Sequence, residues 1–227
     1  MKPTLLILLL ALFPGAASTW LRAQTAFEGV VESRNTTTDE LGELQRYTMT
    51  LRVKGDMVRT EISAFGSNPA SVLIYRRDLG VVWILDEKGR TFFEMRTAGQ
   101  DRVGEGRQEP GHPQIRKTGR SKKILGFLCD QLILRSEEAQ TEYWGTRKLT
   151  ALAATIARAF GSDVSESNSG MNDALAALGY FPMIARTKLG GRVIESSEVT
   201  KIIRCSLEDH LFAVPSDYRK ETAPDMP

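Results

Sequence analysis

Short segments in which apolar and polar residues alternate dominate the chain. Across residues 47–54 every second residue is apolar, and the residues between are threonine, arginine or lysine. This period of two predicts a strand with one buried and one solvated face. A turn is predicted at Gly55-Asp56, so residues 45–63 are expected to form a hairpin. Short apolar runs at 72–75 and 81–85 are typical of strands covered on both faces.

The same kind of pattern returns in the second half of the chain. Residues 124–134 predict a long strand with a bend or bulge, and residues 141–144 are its expected hairpin partner. Two further strands are expected at 183–188 and 192–203, on either side of Gly190-Gly191. The connections between strands are mostly too short for crossover helices, so the predicted sheet is antiparallel.

The period changes between residues 147 and 179, where two helices are predicted. The first carries an apolar stripe at helical spacing, formed by Leu149, Leu152, Ile156 and Phe160. The second is short, contains Leu175 and ends at Gly179. An amphipathic helix must bury its stripe, and the sheet is the available surface. The fold class is therefore mainly β (α+β), with a curved antiparallel sheet lidded by two inserted helices.

The N-terminus has the pattern of a secretory signal peptide. Lys2 is followed by nine apolar residues at 5–13, then by Pro14-Gly15 and small residues. A helix of nine residues is about 14 Å long, against the ~30 Å of a bilayer core, so no stable transmembrane anchor is expected. Cleavage after Ala23 is favoured, with Ala17 or Ser18 as alternatives. We expect a protein exported to the periplasm or outside the cell.

The remaining chain is predicted to form one domain at residues 24–221, with a helical insertion at 147–179. Residues 99–123 are rich in glycine and proline and carry seven bases against three acids. They predict a flexible basic loop, with a flap over a site or a contact with anionic lipid heads as alternatives. Residues 222–227 predict a disordered tail.

Composition excludes some classes of function. The 227 residues carry a formal charge of +2, and removal of residues 1–23 takes away Lys2 and Arg22, which leaves 28 bases and 28 acids. This balance argues against a nucleic-acid partner. Two histidines and two cysteines supply few transition-metal ligands, and no nucleophile elbow, phosphate loop or zinc-protease motif is present. We predict no cofactor and no enzyme, with an unrecognised hydrolase as the alternative.

The two cysteines, Cys129 and Cys205, suggest a disulfide. An even number of cysteines in an exported chain favours a bridge, and both fall in or beside predicted strands of one sheet. The alternative is a pair of buried free thiols.

Five sequence motifs occur along the chain: Lys122–Cys129, Tyr143–Thr146, Tyr180–Pro182, Val199–Ile202, and Leu211–Pro215 with Tyr218. They resemble those of an exported bacterial domain family of unknown function, which is itself similar to the LolA and LppX lipoprotein-carrier superfamily. The resemblance covers about residues 26–220. The resemblance implies an incomplete β-barrel lidded by helices and brings no catalytic residues.

What the resemblance implies about function is a cavity between sheet and helices that holds the acyl chain of a lipid or lipoprotein. The expected apolar lining is Trp83, Phe92, Leu149, Leu152, Ile156, Phe160 and Leu175. The predicted function is therefore binding or carriage of a lipid or other apolar ligand in the cell envelope. The alternative is an envelope interaction or structural protein with a packed core and no ligand.

The signal-peptide prediction is tested by the N-terminus of the exported protein. Secretion followed by intact mass measurement and N-terminal sequencing is expected to show a chain that begins at Gln24. A mature chain that begins at Ser18 or Thr19 would select the earlier cleavage sites. An N-terminus at Met1 in the exported fraction would contradict the prediction.

Overall fold

The computed structural model describes residues 26–39, 41–64, 66, 70–97, 114–135, 139–160 and 174–222. Twelve strands lie within these residues. Their bounds are β1 Glu28–Thr38, β2 Leu44–Lys54, β3 Met57–Ile62, β4 Ser71–Arg76, β5 Val81–Asp86, β6 Thr91–Arg96, β7 Gln114–Ile124, β8 Phe127–Arg135, β9 Ala139–Thr146, β10 Phe181–Leu189, β11 Arg192–Arg204 and β12 Arg219–Glu221.

All twelve strands belong to one sheet, in the order β12-β6-β5-β4-β3-β2-β1-β11-β10-β9-β8-β7. Neighbouring strands are antiparallel except β12, which pairs in parallel with β6. The sheet is curved and open, with β12 and β7 as its edges. The predicted mainly β class with an incompletely closed sheet is confirmed. The parallel edge strand β12 was not predicted, because a three-residue strand has too little pattern to be recognised.

The helical insertion follows β9. Thr146 caps its first turn, Arg147–Leu149, by accepting a hydrogen bond from the Lys148 backbone N–H, and helix α1 follows at Thr150–Phe160. Residues 174–177 form a second helical turn. The Thr150 hydroxyl donates to the Gly179 carbonyl at 3.0 Å and so ties the two pieces together. These pieces lie within the helical insertion predicted at 147–179, of which residues 161–173 lie outside the described residues.

Helix α1 packs against one face of the sheet, which we call the helix-bearing face. Leu152 and Ala153 are buried in one cluster with strand residues that include Val53, Val58 and Tyr75. Within one strand, the residues that pack in this cluster are two positions apart, as the period of two requires. The C-terminal end of α1 is held at the β2–β3 turn, where the Arg158 guanidinium lies 2.7 Å from the Asp56 carboxylate.

The opposite face, which we call the outer face, is covered in part by residues 207–218. Leu207 and Phe212 are buried there against Ile74 and Leu85. Basic side chains of the sheet fix this segment through its backbone carbonyls. Lys54 donates to Leu207 at 2.7 Å, Arg59 to Leu211 at 3.3 Å and Arg76 to Phe212 at 3.0 Å.

Two local predictions are wrong. Residues 114–123, expected in the basic loop 99–123, belong to edge strand β7, while 99–113 lie outside the described residues. An edge strand tolerates glycine and charge because one of its sides makes no ladder. The long strand expected at 124–134 is instead the end of β7, a turn at Leu125-Gly126 and β8. The expected signal peptide and residues 223–227 of the expected tail are also outside the described residues.

The β7–β8 turn generates a stability prediction. Leu125 has a φ of 49° and Gly126 a φ of 82°, so both turn residues have left-handed backbone, and Leu125 is 47% exposed. Leucine is disfavoured in this conformation, whereas Asn-Gly is the preferred pair. Leu125→Asn is expected to stabilise the domain by about 1 kcal/mol, which raises its Tm by about 3 °C in calorimetry.

The matched control is Gly126→Ala, which places a Cβ at a positive φ and is expected to lower Tm. No clash accompanies this change, since a Cβ at Gly126 meets no atom within 4 Å. If Leu125→Asn is no more stable than wild type, the Leu125 side chain contributes at least as much free energy of folding as its left-handed backbone costs.

Candidate functional site

The helix-bearing face carries a strip of partly accessible apolar residues beside α1. The strip, which we call the apolar strip, consists of Met49, Ile62, Leu73, Ile84 and Phe93, each half-buried. Register places them on one face, because directly paired residues of neighbouring strands point the same way. The pairs are Met49 with Ile62, Leu73 with Ile84, and Ile84 with Phe93.

The apolar strip crosses five strands and continues the packed core. Between it and α1 lies a deeper row that includes Val58, Tyr75 and Val82, all buried with the helix. From β2 to β6 there are four strand spacings, or about 19 Å. The helix therefore covers one end of this apolar face, and the strip remains partly accessible beyond it.

A buried hydroxyl lies within this apolar surface. Thr60 is 2% exposed and pairs with Leu51 on one side and Leu73 on the other. Its Oγ1 has no hydrogen-bond partner in the part of the chain that the structure describes. An unpaired buried hydroxyl costs free energy, so a ligand oxygen that reached it would recover a hydrogen bond.

Polar side chains occupy the neighbouring part of the same face and form what we call the polar cluster: Asn35, Tyr47, Thr141, Tyr143, Thr187 and Glu195. Register links them, since Tyr47 pairs with Asn35, Glu195 with Thr187, and Thr187 with Thr141. Burial and the negative charge of Glu195 raise the pKa of Tyr143 to about 12, and the same two causes raise the pKa of Tyr47. Both phenols are therefore neutral at physiological pH.

A second polar network lies on this face near the β7 edge. The Asp130 carboxylate is 2.7 Å from the Lys117 ammonium, and it accepts hydrogen bonds from the Tyr180 hydroxyl at 2.7 Å and the Ser121 hydroxyl at 2.9 Å. Tyr180 packs over Gly145, where a Cβ would lie 3.2 Å from the Tyr180 ring. These partners, with Lys117 first, lower the pKa of Asp130 from 3.8 to about 2. The network joins β7, β8 and the entry to β10.

The family of this chain follows from a sequence match that covers most of its residues. Residues 27–218 match a family described as a domain of unknown function, DUF4412. The chain belongs to this family. The matched range is close to the residues 26–220 over which the motifs resemble such a family, and that expectation is confirmed.

The fold of this DUF4412 domain also occurs in a solved structure. An uncharacterized conserved protein from Thermus thermophilus is similar with a TM-score of 0.52 and 12% identity, over 86% of this chain and 91% of that chain. At this identity the likeness shows the fold alone. No curated protein matches the sequence.

Two further structures are similar at lower scores. PNGF-II has a TM-score of 0.40 and 12% identity, over 87% of this chain but 32% of its own. A putative outer membrane lipoprotein-sorting protein domain from Vibrio parahaemolyticus has a TM-score of 0.30 and 8% identity, over 82% of this chain and 89% of its own. Both scores are too low to support an inference about function.

The structure distributes the apolar lining predicted from the sequence over three places. Leu149, Leu152, Ile156 and Phe160 pack with α1 in the main core. Leu175 is buried elsewhere, with Tyr143 and Tyr180. Trp83 and Phe92 contact the outer-face cluster under residues 207–218. The seven residues do not line one site, since Trp83 alternates with Val82 and Ile84 and so points to the other face.

The predicted disulfide is not formed. Cys129 is a buried free thiol on β8, and Cys205 is an exposed free thiol directly after β11. Two strands separate β8 from β11, which corresponds to about 14 Å along the sheet, whereas bridged Cα atoms lie within about 7 Å. The sequence could not reveal this separation. Burial also raises the pKa of the Cys129 thiol.

Two other kinds of feature do not occur among the described residues. They contain no group of three or more histidine, cysteine, aspartate or glutamate side chains placed to hold a metal ion. Among the same residues, no helix has the length and apolar character needed to cross a membrane.

The prediction from the sequence did not include the apolar strip or the polar cluster. It selected the lining from helix residues and aromatic residues instead. The alternation of Met49, Leu51 and Val53 contained the signal for part of the strip. In the continuous run 81–85 the same signal was hidden, since every position is apolar.

The Asp130 network predicts a pH dependence. A carboxyl whose folded pKa is lowered stabilises the fold above its unfolded pKa, and this contribution is lost as pH falls through the folded pKa. Asp130→Asn is expected to destabilise the domain by about 2 kcal/mol at neutral pH. The Asp130 side chain is only 20% exposed, so solvent screens its interactions weakly. The difference from wild type should shrink between about pH 4 and about pH 2.

Urea unfolding at a series of pH values measures this difference. Asp217→Asn is the matched control, because the Asp217 carboxylate faces Arg90 at 3.2 Å with both side chains more than half exposed. We expect a small effect from the control at every pH. A constant destabilisation by Asp130→Asn down to about pH 2 would contradict the assignment.

Proposed function

We propose that this DUF4412 domain is a non-catalytic lipid-binding or carrier domain of the cell envelope, which holds an acyl chain on the apolar strip. The observation that carries the proposal is the set of five half-buried apolar residues on the helix-bearing face, continuous with the packed core.

The driving force is hydrophobic. Each ligand methylene that moves from water onto the apolar strip contributes up to about 0.8 kcal/mol. The length of the strip across β2–β6, about 19 Å, suits an extended chain better than a compact apolar ligand. The side chains at its floor lie on strands, so they are held in place before binding and little ordering entropy is lost.

The polar cluster supports an amphiphilic ligand. It adjoins the strip on β2, where Tyr47 and Met49 are two residues apart and therefore point to the same face. The cluster places hydroxyl and amide side chains beside the strip, which suits an uncharged or weakly charged headgroup.

Location in the envelope is supported by the N-terminal sequence. The basic residue, apolar run and small residues of the first 23 positions follow the plan of an export signal. A lipid ligand is available to a protein at that location.

A series of neutral monoacylglycerols tests the proposal. Affinity measured by calorimetry is expected to rise with chain length, by up to about fourfold per methylene. The double variant Leu73→Ala/Ile84→Ala removes part of the strip and is expected to weaken binding about 30-fold, since each truncation of a half-buried side chain loses about 1 kcal/mol of contact.

The matched control is Val193→Ala, which truncates an exposed apolar residue of β11 away from the strip. It should bind like wild type, and circular dichroism should show that all variants are folded. Failure of every monoacylglycerol to bind folded wild type would overturn the proposal. It would leave the alternative of an envelope interaction or structural protein, tested by crosslinking in cells.

A further inference from the structure

The outer face carries a polar groove that the proposed function does not use. The groove has a volume of about 320 Å³ and lies on β7, β8 and β9. It is lined by Arg116, Thr118, Arg120, Gln131, Ile133, Arg135 and Gln140. Register places it on the side of the sheet opposite Leu132 and Tyr143. Arg116 pairs with Ile133, whereas Lys117 pairs with Leu132, and Leu132 belongs with Tyr143 and Tyr180 on the helix-bearing face.

Three guanidinium groups surround this groove. Arg116 and Arg120 are exposed and make no side-chain hydrogen bond or ion pair within the part of the chain that the structure describes. Arg135 donates its Nε–H to the Gln140 side chain at 3.2 Å, and its terminal amino groups make no hydrogen bond or ion pair with other described residues. Three like charges around one depression repel each other, and an anion would remove that cost.

Several arginines elsewhere in the domain are paired with carboxylates. Arg76 contacts Asp78 at 2.6 Å, Arg158 contacts Asp56 at 2.7 Å, and Arg59 contacts Glu61 at 2.7 Å. Arg116, Arg120 and Arg135 have no carboxylate partner among the described residues, and neither do exposed arginines such as Arg46 and Arg192. A single arginine without a carboxylate is ordinary on a surface, but three that line one groove form a candidate anion site.

The floor of the groove is rigid. Gln131 is 8% exposed, its Oε1 accepts from the Thr118 hydroxyl at 2.8 Å, and its amide nitrogen donates to Glu142 at 2.9 Å. Both ends of this amide are therefore fixed. Ile133 completes the floor as a second buried residue. A ligand in the groove meets a prearranged surface with arginines on its rim.

A local irregularity of β7 presents the basic rim. The β7–β8 register shifts between Lys117 and Ser121, so residues 118–120 all lie opposite Gln131. Gly119 takes a φ of 84° in this bulge, a backbone conformation that favours glycine, and a Cβ there would meet no atom within 4 Å. Bulges of this kind redirect side chains and are common beside functional sites.

Glu142 is a carboxylate that contacts the floor of the groove through its bond to Gln131. Its Oε1 also accepts from the Trp144 indole N–H at 2.8 Å, and it does not line the groove. Burial opposes the ionisation of Glu142, but the hydrogen bonds from Gln131 and Trp144 and the positive charges of Arg186 and Lys188 lower its pKa. Among the described residues that line the groove, the charged side chains are the three arginines.

We propose that Arg116, Arg120 and Arg135 bind a phosphate group in this outer-face groove. Guanidinium groups match phosphate oxygens with two parallel hydrogen bonds, and three of them suit a doubly charged tetrahedral anion. The volume is equivalent to about ten water molecules, which accommodates a phosphate ester with a small alcohol. The ester is either free, as a doubly charged monoester, or part of a phospholipid headgroup, as a singly charged diester. Both sources present charged phosphate oxygens to the guanidinium groups.

The proposal does not rest on the proposed function. The groove and the apolar strip lie on opposite faces of the sheet, so a lipid chain on the strip cannot place its headgroup in the groove. If monoacylglycerols do not bind, the proposal of a phosphate site still stands. If phosphate does not bind, the proposal of lipid binding on the apolar strip still stands.

Nuclear magnetic resonance of the arginine Nε–H groups tests the site at low ionic strength, where charge interactions are least screened. Inorganic phosphate is expected to shift a small set of these signals with saturation. Arg116→Gln/Arg120→Gln is expected to weaken phosphate binding at least about tenfold. The matched control Arg46→Gln/Arg192→Gln removes two exposed charges outside the groove and should change affinity by less than about twofold.

Vesicle sedimentation distinguishes the two sources. Vesicles of equal parts phosphatidylcholine and phosphatidylglycerol are compared with pure phosphatidylcholine. Binding of the mixed vesicles that is lost in Arg116→Gln/Arg120→Gln and retained in the control assigns the site to a headgroup. Phosphate binding without vesicle binding assigns it to a free ester. Absence of both, or equal losses in the groove and control variants, would overturn the proposal.

Discussion

The packing of α1 across one end of a wide sheet is the constraint on which the rest of this domain depends. A sheet of twelve strands has two broad faces, and an eleven-residue helix covers only part of one. The helix buries the row that contains Val58, Tyr75 and Val82, and the neighbouring row of the same face remains partly accessible. Apolar surface that a fold leaves accessible in this way is available to a ligand.

The outer face is also only partly covered, but by a different segment of the chain. Residues 207–218 cover it near β3–β6 and are held through carbonyls that accept from Lys54, Arg59 and Arg76. Among the described residues nothing comparable covers β7–β9, where arginines surround a polar groove. The two faces therefore offer different chemistry, apolar beside α1 and cationic near the β7 edge. The Asp130 network holds that edge to β8 and to the start of β10.

Some elements could be predicted because their patterns are local. The hairpin at 45–63 follows from the alternation on each side of Gly55, and α1 follows from its apolar stripe. Other predictions failed where the information is not local. Trp83 and Phe92 were expected to face the helices, but a continuous apolar run does not indicate which residue points to which face. The bridge between Cys129 and Cys205 was expected from a shared sheet, whereas the separation within that sheet depends on strand order.

The sequence by itself determined the mainly β class, the position of the helical insertion and membership of the DUF4412 family. The tertiary structure alone decided which residues come together. Met49 and Phe93 belong to one strip because four successive strand pairings connect β2 to β6. Arg116 and Arg135 line one groove because β7 and β8 pair as an antiparallel hairpin. The physical reason is that periodicity records which residues of a strand share a side. Strand order and register arise from contacts between residues far apart in the chain.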